Sequence, residues 1–523
     1  MQHDLQLRIE PSVAADTVRL TKIAASSLSL NPDRIKSVRI VRRSVDARQQ
    51  RVMFNVTLRV WVDETPSESL LKPIDYNPVP QNAPQAVVVG AGPAGLFAAL
   101  RLIELGVRPI VLERGKPVDL RAVDMARIAR QGIVDPDSNY CFGEGGAGAY
   151  SDGKLFTRSK KRGPVDKILH ILVQHGAKEE ILVDAHPHIG TDRLPLVVKA
   201  IRETIIACGG KVIFSARVEK LLTDGTHITG AATADGTEYH GPVILATGHS
   251  ARDVYALLHN AGIELQPKGI AVGVRLEHPQ ALIDSLQYHC RGKRSQYLPA
   301  AEYSLLTRVD GRAVYSFCMC PGGVIVAAAT APGELVVNGM SASARAGRKA
   351  NSGMVVEVLP EDVPAEFEKF GPLKVMEYQR SIETAFYSDA MSYNSPAQRM
   401  TDFVAARDSK NLPESTYAPG IHAARVDLLL PAPISDRLRR GFRDFDSKRR
   451  GFLSPEATVI GAETRTSAPV RIPRDKETLQ HVSVAGLYPC GEGAGYAGGI
   501  VSAAIDGDRC ASALAEALKA RSF

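Results

Sequence analysis

The first 62 residues alternate between apolar and polar positions in a way that differs from the rest of the chain. Two alternating stretches, DLQLRI and VMFNVTLRVWV, flank a stretch with helical spacing, and SVRIVRR precedes the second of them. From Phe54 to Val62 every second residue is apolar, as on one face of a strand. The order predicts a small βαββ module of α+β type over residues 1–75. A linker rich in proline and polar residues follows it.

At Ala86 the pattern becomes an apolar strand, a glycine turn, an Ala/Leu-rich helix and a second apolar strand, AVVVGAGPAGLFAALRLIELGVRPIVLERG. Gly90, Gly92 and Gly95 form G-x-G-x-x-G, and Glu113 ends the second strand. In such a turn the glycines allow a tight bend, the approach of a pyrophosphate and close helix–strand packing. The helix N-terminus offers free N–H groups to phosphates. This context predicts a dinucleotide site, with Glu113 binding the adenosine ribose; the alternative is an ordinary glycine turn.

Three further segments indicate FAD. A second glycine cluster, NYCFGEGGAGAYSDGK, can lie against a flat ring or a phosphate. GPVILATGHS is a strand ending in a glycine, and GLYPCGEGAGYAGGIVSAAIDG is a glycine turn before a long helix. Glu492 is predicted to reach the ribityl hydroxyls, and the helix starting near Gly499 to point its N-terminus at the flavin. No second complete dinucleotide fingerprint is found, so any NAD(P)H is expected to dock transiently at the flavin face.

Composition limits the cellular compartments and the kinds of binding partner that we expect for this protein. The chain has 523 residues, a net charge of +7 and seven scattered cysteines, which do not form a disulfide framework. No run reaches the roughly 18 apolar residues of a membrane span, so we expect a cytoplasmic protein. The densest basic run, residues 437–450, is typical of a solvated helix face. We therefore expect a small-molecule substrate, no nucleic acid, no membrane span and no metal; the oligomeric state is left open.

Several stretches together resemble a known family: FGEGGAGAYSDGKLFTR, HPHIGTDRL, FCMCPGG, NSPAQRMTDF, GAETRTSAPVRIPRD and GEGAGYAGGIVSAAIDG. They are similar to a bacterial family with plastid relatives, known only as uncharacterised FAD-dependent dehydrogenases, within the glutathione-reductase-type FAD/NAD(P)-binding fold. The resemblance covers most of the chain from Val79 onward. It implies bound FAD and a redox role, and it names no substrate.

The expected fold is α/β, with a discontinuous Rossmann-type FAD-binding domain into which an α+β substrate or cap domain is inserted. We place the FAD-binding domain at 84–265 and 455–523, and the insert at 266–454. The insert also resembles, over a short strand, the substrate domain of geranylgeranyl-reductase-like flavoproteins. Phe317 stands where that family has tryptophan, and this resemblance implies an apolar, lipid-like substrate.

The pair Cys318 and Cys320 raises its own question. In a regular strand the two residues share a face about 6.6 Å apart with parallel side chains, which disfavours a disulfide. No nearby Lys, Arg or His spacing favours a thiolate. Two interpretations remain: buried small hydrophobic residues, which we prefer, and thiols near the flavin.

Other polar residues also have two interpretations. Lys154 is a candidate for binding a substrate anion or balancing the charge of reduced flavin, or forms a surface ion pair. His188 is a general acid–base candidate or a packing residue. Arg465 and Arg471 either clamp an anion or, as we prefer, hold Glu463 and the loops of the FAD-binding domain.

The sequence thus predicts an FAD-dependent oxidoreductase, a dehydrogenase or reductase that transfers a hydride through flavin N5 to or from an unidentified small molecule. The alternative is a flavoprotein scaffold or redox sensor that binds a protein partner with little turnover. The candidate catalytic residues are Lys154, His188, Cys318 and Cys320. The predicted cofactor-binding residues are Gly90, Gly92, Pro93, Ala94, Gly95, Glu113, Arg114, Gly145, Gly146, Gly148, Ser151, Lys154, Val218, Thr247, Gly248, Gly491, Glu492, Gly498, Gly499 and Ile500.

Overall fold

The computed structural model describes residues 1–66, 69–157 and 163–521 of a mixed α/β chain. Parts of three predicted segments lie outside the described residues: 67–68 in the linker, 158–162 after the second glycine cluster, and 522–523 at the C-terminal end. None of the described helices is long and apolar enough to cross a membrane.

The N-terminal residues form a three-stranded antiparallel sheet in the order β1–β3–β2, with two helices between β1 and β2. The Asp16 side chain accepts a hydrogen bond from the Arg19 N–H at 3.1 Å and begins the second helix. Its buried face joins one core with alternate residues of the third strand. Two helices follow the first strand where the sequence predicts one, and the three strands follow in the predicted order. The elements are β1 (Gln2–Ile9), α1 (Pro11–Ala14), α2 (Thr17–Leu28), β2 (Ile35–Asp46) and β3 (Met53–Val62).

The next part of the chain builds a βαβ unit, three further helices, and a three-stranded antiparallel sheet that precedes a return to the parallel sheet. The βαβ unit has the order of elements that the glycine pattern predicts. The elements are β4 (Gln85–Val89), α3 (Pro93–Glu104), β5 (Arg108–Leu112), α4 (Val118–Gln131), α5 (Val165–Gln174), α6 (Leu194–Ala207), β6 (Lys211–Ile213), β7 (Val218–Asp224), β8 (His227–Thr233), β9 (Glu238–His240), β10 (Val243–Leu245) and α7 (Arg252–Asn260).

A seven-stranded sheet dominates the following residues. The elements are β11 (Gln266–Pro267), β12 (Ile270–Pro279), α8 (Gln280–Tyr288), β13 (Leu306–Val309), β14 (Arg312–Cys320), β15 (Val324–Ala327), β16 (Val337–Met340), β17 (Lys349–Val358), α9 (Lys374–Ala385), β18 (Ser395–Arg399), α10 (Met400–Ala405), β19 (Ile421–Ala423), α11 (Val426–Leu429), α12 (Ala432–Lys448), β20 (Thr458–Glu463) and β21 (Val470–Arg471). The sheet order is β13–β14–β17–β12–β20–β18–β19, antiparallel except between β18 and β19. Because β20 pairs with β12, this sheet extends beyond residue 454, where we ended the insert. The domain boundaries themselves stay predictions.

The chain then returns to the parallel sheet with β22 (Leu487–Pro489) and α13 (Ile500–Arg521). The parallel order is β22–β10–β4–β5–β6. Val87 and Val89 face one core, and Ala86 and Val88 face the other, so both faces of β4 are covered. The carboxyl ends of β4, β5, β10 and β22 meet at one edge, where ligands of open α/β sheets bind.

The predicted linker is docked along its second half. The Ile74 N–H donates to Gln174 Oε1 at 2.9 Å, and Gln174 Nε2 donates back to the Ile74 carbonyl at 2.8 Å. The Val79 N–H donates to the Cys208 carbonyl at 2.9 Å. These bonds attach the linker to α5 and to the end of α6.

Candidate cofactor site

The three glycines of the turn after β4 differ in their surroundings. A side chain at Gly90 or Gly95 would overlap the backbone, whereas a side chain at Gly92 would extend into open space. Gly90 has φ +103°, and a Cβ there would lie 2.5 Å from the Ala246 carbonyl oxygen. A Cβ at Gly95 would lie 1.8 Å from the Gly90 carbonyl oxygen. At Gly92 the nearest atom would be Gly146 Cα, at 3.9 Å, so this position opens into space. The N-terminus of α3 has no side-chain cap, so no capping side chain occupies its first N–H groups, which are the kind of groups that bind anions.

A cavity of about 350 Å³ lies at this edge of the sheet. The predicted cofactor-binding residues that line it are Gly90, Gly92, Pro93, Ala94, Glu113, Arg114, Gly146, Gly148, Ser151, Lys154, Val218, Thr247, Gly248, Glu492, Gly498, Gly499 and Ile500. Three others are not on its wall. Gly95 packs against Gly90, Gly145 against Val198, and Gly491 against Ala94. These three allow the wall to close and do not face the cavity.

The second glycine cluster is held in place by Arg121 of α4, a residue that sequence reasoning missed. Its fully buried guanidinium donates to the carbonyls of Asn139 at 2.7 Å, Tyr140 at 2.8 Å, Glu144 at 2.8 Å and Gly146 at 2.7 Å. Several carbonyls thus converge on one cation, which fixes a loop that has little regular structure. Because all these partners are backbone groups, the sequence carries no complementary side chain that could have revealed the role.

Glu113, which is predicted to bind the adenosine ribose, also holds the backbone of the site in place. It is 4% exposed, and its carboxylate accepts three backbone N–H bonds, from Ala91 at 2.8 Å, Gly115 at 2.9 Å and Gly143 at 3.0 Å. The residue therefore joins the turn after β4 to the glycine cluster. A carboxylate has about four acceptor positions, so one remains for a ribose hydroxyl.

Arg114 follows Glu113 on the same wall of the cavity. Its guanidinium lies 4.2 Å from the centre of the Phe142 ring and pairs with Asp137 at 2.8 Å and Asp253 at 2.9 Å. The pairs hold the guanidinium over the ring on the wall of the cavity, which Val218 also lines. Its role toward the cofactor stays a prediction.

The loop before α13 forms another part of the cavity wall. Burial raises the pKa of Glu492 to about 7, against the opposing effect of Lys268. The loop is fixed from behind, since the Gly491 N–H donates to Asp506 at 2.7 Å and Asp506 pairs with Arg474 at 2.6 Å. A Cβ at Gly498 or Gly499 would meet nothing within 4 Å. The N-terminus of α13 therefore borders open space in the cavity.

Some of the predicted catalytic residues line the cavity and others do not. Lys154 lines the cavity, with its Nζ 3.5 Å from Glu302 Oε2. His188 is not among the lining residues; its Nε2 is 3.1 Å from the Ser343 carbonyl, and burial lowers its pKa. His249, which sequence reasoning missed, lines the cavity instead. Burial and the charge of Arg465 lower its pKa to about 3, so it is a neutral imidazole at neutral pH.

The prediction that Arg465 forms an ion pair with Glu463 was wrong. Its buried guanidinium pairs with Glu383 at 2.9 Å and Glu334 at 3.1 Å, while Glu463 pairs with Arg275 at 3.2 Å. A buried cation takes the carboxylates that packing brings to it, whatever their sequence distance. Arg471 lies 5.7 Å from the centre of the Tyr496 ring, off the cavity wall.

The expectation of a regular strand at Cys318 and Cys320 was also wrong. The pairing of β14 with β17 shifts register between Phe317 and Cys320, and Cys318 has φ +46°. This β-bulge turns the side chains out of the alternation of a regular strand. Cys318 lines the cavity, and Cys320 is fully buried.

Comparison with known proteins was consistent with this site. An uncharacterised protein of Clostridium beijerinckii is 40% identical over 528 residues, covering 97% of this chain and 98% of that protein. The chain belongs to the same family as this clostridial protein. Residues 269–466 match the family described as FAD-dependent protein, C-terminal domain-like, and residues 1–61 match a domain of unknown function. The first of these matches confirms FAD as the cofactor.

Solved structures give more distant similarities. A geranylgeranyl bacteriochlorophyll reductase-like protein of Thermoplasma acidophilum is 12% identical, covering 84% of this chain and 80% of its own, with a TM-score of 0.36. CtdE in complex with FAD is 12% identical, covering 84% and 90%, with a TM-score of 0.34. The 2,6-dihydroxypyridine-3-hydroxylase of Arthrobacter nicotinovorans is 12% identical, covering 83% and 84%, with a TM-score of 0.35. The likeness to plastid proteins and to glutathione reductase stays a prediction.

Proposed function

We propose that this protein is an FAD-dependent oxidoreductase that transfers a hydride to or from a small-molecule substrate. The observation that carries the proposal is the composition of the cavity wall. Part of the wall consists of glycine turns and helix N-termini suited to a dinucleotide, with Gly92 and Gly499 leaving open space. Another part consists of Phe317 of β14 and Asn338 of β16. A cofactor held by the glycine turns would lie in the cavity that these residues also line.

The residues fit FAD from end to end. The free N–H groups of α3 and the turn at Gly90 would hold the pyrophosphate, and Glu113 would bind the adenosine ribose. Gly148, Lys154 and the N-terminus of α13 would lie toward the isoalloxazine. Bound FAD supplies hydride transfer at flavin N5.

The chain's own residues supply charge and exclude water. Lys154 and the positive end of the α13 dipole favour negative charge in this part of the cavity. Phe317 contributes an apolar surface to the cavity wall. The neutral ring of His249 accepts or donates one hydrogen bond at each nitrogen, and its Nε2 lies 2.9 Å from the Arg465 carbonyl. That contact makes Nε2 the donor and leaves Nδ1 as an acceptor.

Anaerobic titration tests the proposal. Purified protein should release FAD, not FMN, on heating. The visible absorption of its bound flavin should bleach with NADH, NADPH or a member of a metabolite panel. A flavin that dithionite reduces but no metabolic donor does, together with capture of a protein partner by residues 1–75, would support the scaffold alternative instead.

A further inference from the structure

Two thiols lie together at the wall of the cofactor cavity. Cys318 is half-buried and lines the cavity, while Cys320 is fully buried behind it. Within the bulge of β14 the Cys320 thiol donates to the Cys318 carbonyl oxygen at 3.3 Å, and its side chain also interacts with that of Cys318. The left-handed backbone of Cys318 is a strained conformation for a residue with a Cβ. Such strain is concentrated at functional sites.

A buried cation lies beside the pair. Arg275 Nη2 is 2.7 Å from the Cys318 carbonyl oxygen and 3.3 Å from Cys320 Sγ. Its carboxylate partner is Glu463, at 3.2 Å from Nη1. Burial raises the pKa of Glu463 to about 8, although Arg275 opposes the effect. The cost of burying the Glu463 charge is therefore only partly offset by Arg275, and the guanidinium also lies within reach of the Cys320 sulfur.

The two thiols differ in acidity as well as in exposure. The hydrogen bond from Cys320 lowers the pKa of Cys318 to about 6, and the charges of Arg275 and Lys154 add to the effect against the opposing effect of burial. The same interaction and burial raise the pKa of Cys320. Cys318, which lines the cavity, is thus the attacking thiolate, and the buried Cys320 sulfur is placed to resolve a mixed disulfide.

We propose that Cys318 and Cys320 form a reversible dithiol–disulfide pair that reacts with small disulfides entering the cofactor cavity. The Cys318 thiolate attacks one sulfur of the small disulfide, whose S–S bond breaks and releases one small thiol after protonation. The Cys320 thiol then loses its proton and attacks the Cys318 sulfur, forming the protein disulfide and releasing the second small thiol. One dithiol and one small disulfide become one protein disulfide and two small thiols. This activity is separate from the proposed flavin chemistry.

Thiol counting on the full-length, flavin-containing protein tests the pair, with glutathione disulfide as the probe. After incubation the protein is alkylated and digested, and its peptides are weighed. In the wild type we expect the peptide with both cysteines to lose both alkylatable thiols and the mass of two hydrogen atoms, and dithiothreitol to restore them. Cys320→Ser should retain one glutathione on Cys318. Cys318→Ser should leave Cys320 unmodified, because Cys320 is buried.

Two further cysteines serve as controls. Cys141 lines the same cavity, so it reports probe entry in the same digest. Cys290→Ser, at a half-buried thiol off the cavity wall, should leave disulfide formation unchanged. The proposal is wrong if Cys141 acquires glutathione while Cys318 and Cys320 both stay alkylatable. It is also wrong if the wild type holds a stable mixed disulfide at Cys318. The wild-type result decides even if a variant fails to fold, and it does not depend on flavin reduction.

Discussion

Gly92 and Gly95 lie in one turn, yet a side chain at each would meet different surroundings. We expect Gly92→Val to keep the fold and lose FAD, because its side chain would extend into open space that the pyrophosphate needs. Gly95→Val should instead destabilise the protein, because its Cβ would overlap the Gly90 carbonyl. Bound-flavin absorbance and thermal unfolding separate the two outcomes. Full flavin content in folded Gly92→Val would contradict the placement of the pyrophosphate.

Glu492 should make the stability of the apoprotein depend on pH. Its carboxyl has a folded pKa of about 7 against an ordinary value of 4.5, so the folded state binds the proton more tightly than the unfolded state. The stabilisation is therefore complete below pH 4.5 and is lost as the pH rises through 7. Between pH 4.5 and pH 8 the free energy of unfolding of Glu492→Gln should rise by about 3 kcal/mol relative to that of the wild type, since each unit of pKa shift corresponds to about 1.4 kcal/mol.

Urea unfolding of the two apoproteins at both pH values measures this difference. Glu477→Gln is the matched control, because Glu477 is exposed and should show no such change. An unfolding free-energy difference between wild type and Glu492→Gln that stays constant with pH would show that Glu492 is ionised without cost in the folded protein.

The residues that could be predicted from sequence are those whose role is local. Gly90, Gly92 and Gly95 act within one turn, so their spacing was sufficient to find them. Arg121 and Arg275 act on backbone or side chains far along the chain, and nothing in their own neighbourhood marks them. Long-range packing, which a single sequence does not display, brings these cations to their sites.

At the level of elements, β14 ends in a turn at Gly322, which has the left-handed backbone φ of +51°. However, β15 pairs with β16 and not with β14, so the turn passes from one sheet to another. Alternation of apolar residues predicts the strand but not its bulge, because a single extra residue leaves the average period nearly unchanged.

We expect Gly322→Val to destabilise the protein strongly, by more than about 2 kcal/mol. A Cβ at Gly322 would lie 2.1 Å from the Arg345 carbonyl oxygen, so backbone must move in addition to the left-handed strain. Gly333→Val is the matched control: Gly333 has φ +77° but no atom within 4 Å of its Cβ position, so it carries the strain alone, about 1 kcal/mol. Urea unfolding of both variants measures the difference, and equal losses would show that the contact with Arg345 has no cost.

At the scale of the whole molecule, a set of contacts joins the N-terminal module to the remainder of the chain. Arg43 pairs with Asp184 at 2.8 Å, and its backbone exchanges hydrogen bonds with the Val183 carbonyl and the Ala185 N–H, both at 2.9 Å. All of the residues that line the cofactor cavity lie after residue 88. Among the described residues, the module therefore contributes none to the cavity wall.

Truncation tests this arrangement and the docking of the linker. Deleting residues 1–62 should leave a folded, flavin-loaded protein, because the cavity and the docked linker remain. Deleting residues 1–78 should also leave flavin bound but should lower the melting temperature further, because it removes the hydrogen bonds of Ile74 with Gln174 and the contact of Tyr76 with the His175 ring at 6.1 Å. The ratio of flavin to protein absorbance and thermal unfolding measure both outcomes. An apoprotein from the shorter deletion would mean that the module holds the cavity in shape through Arg43. Equal melting temperatures for the two deletions would mean that the docked linker adds no stability.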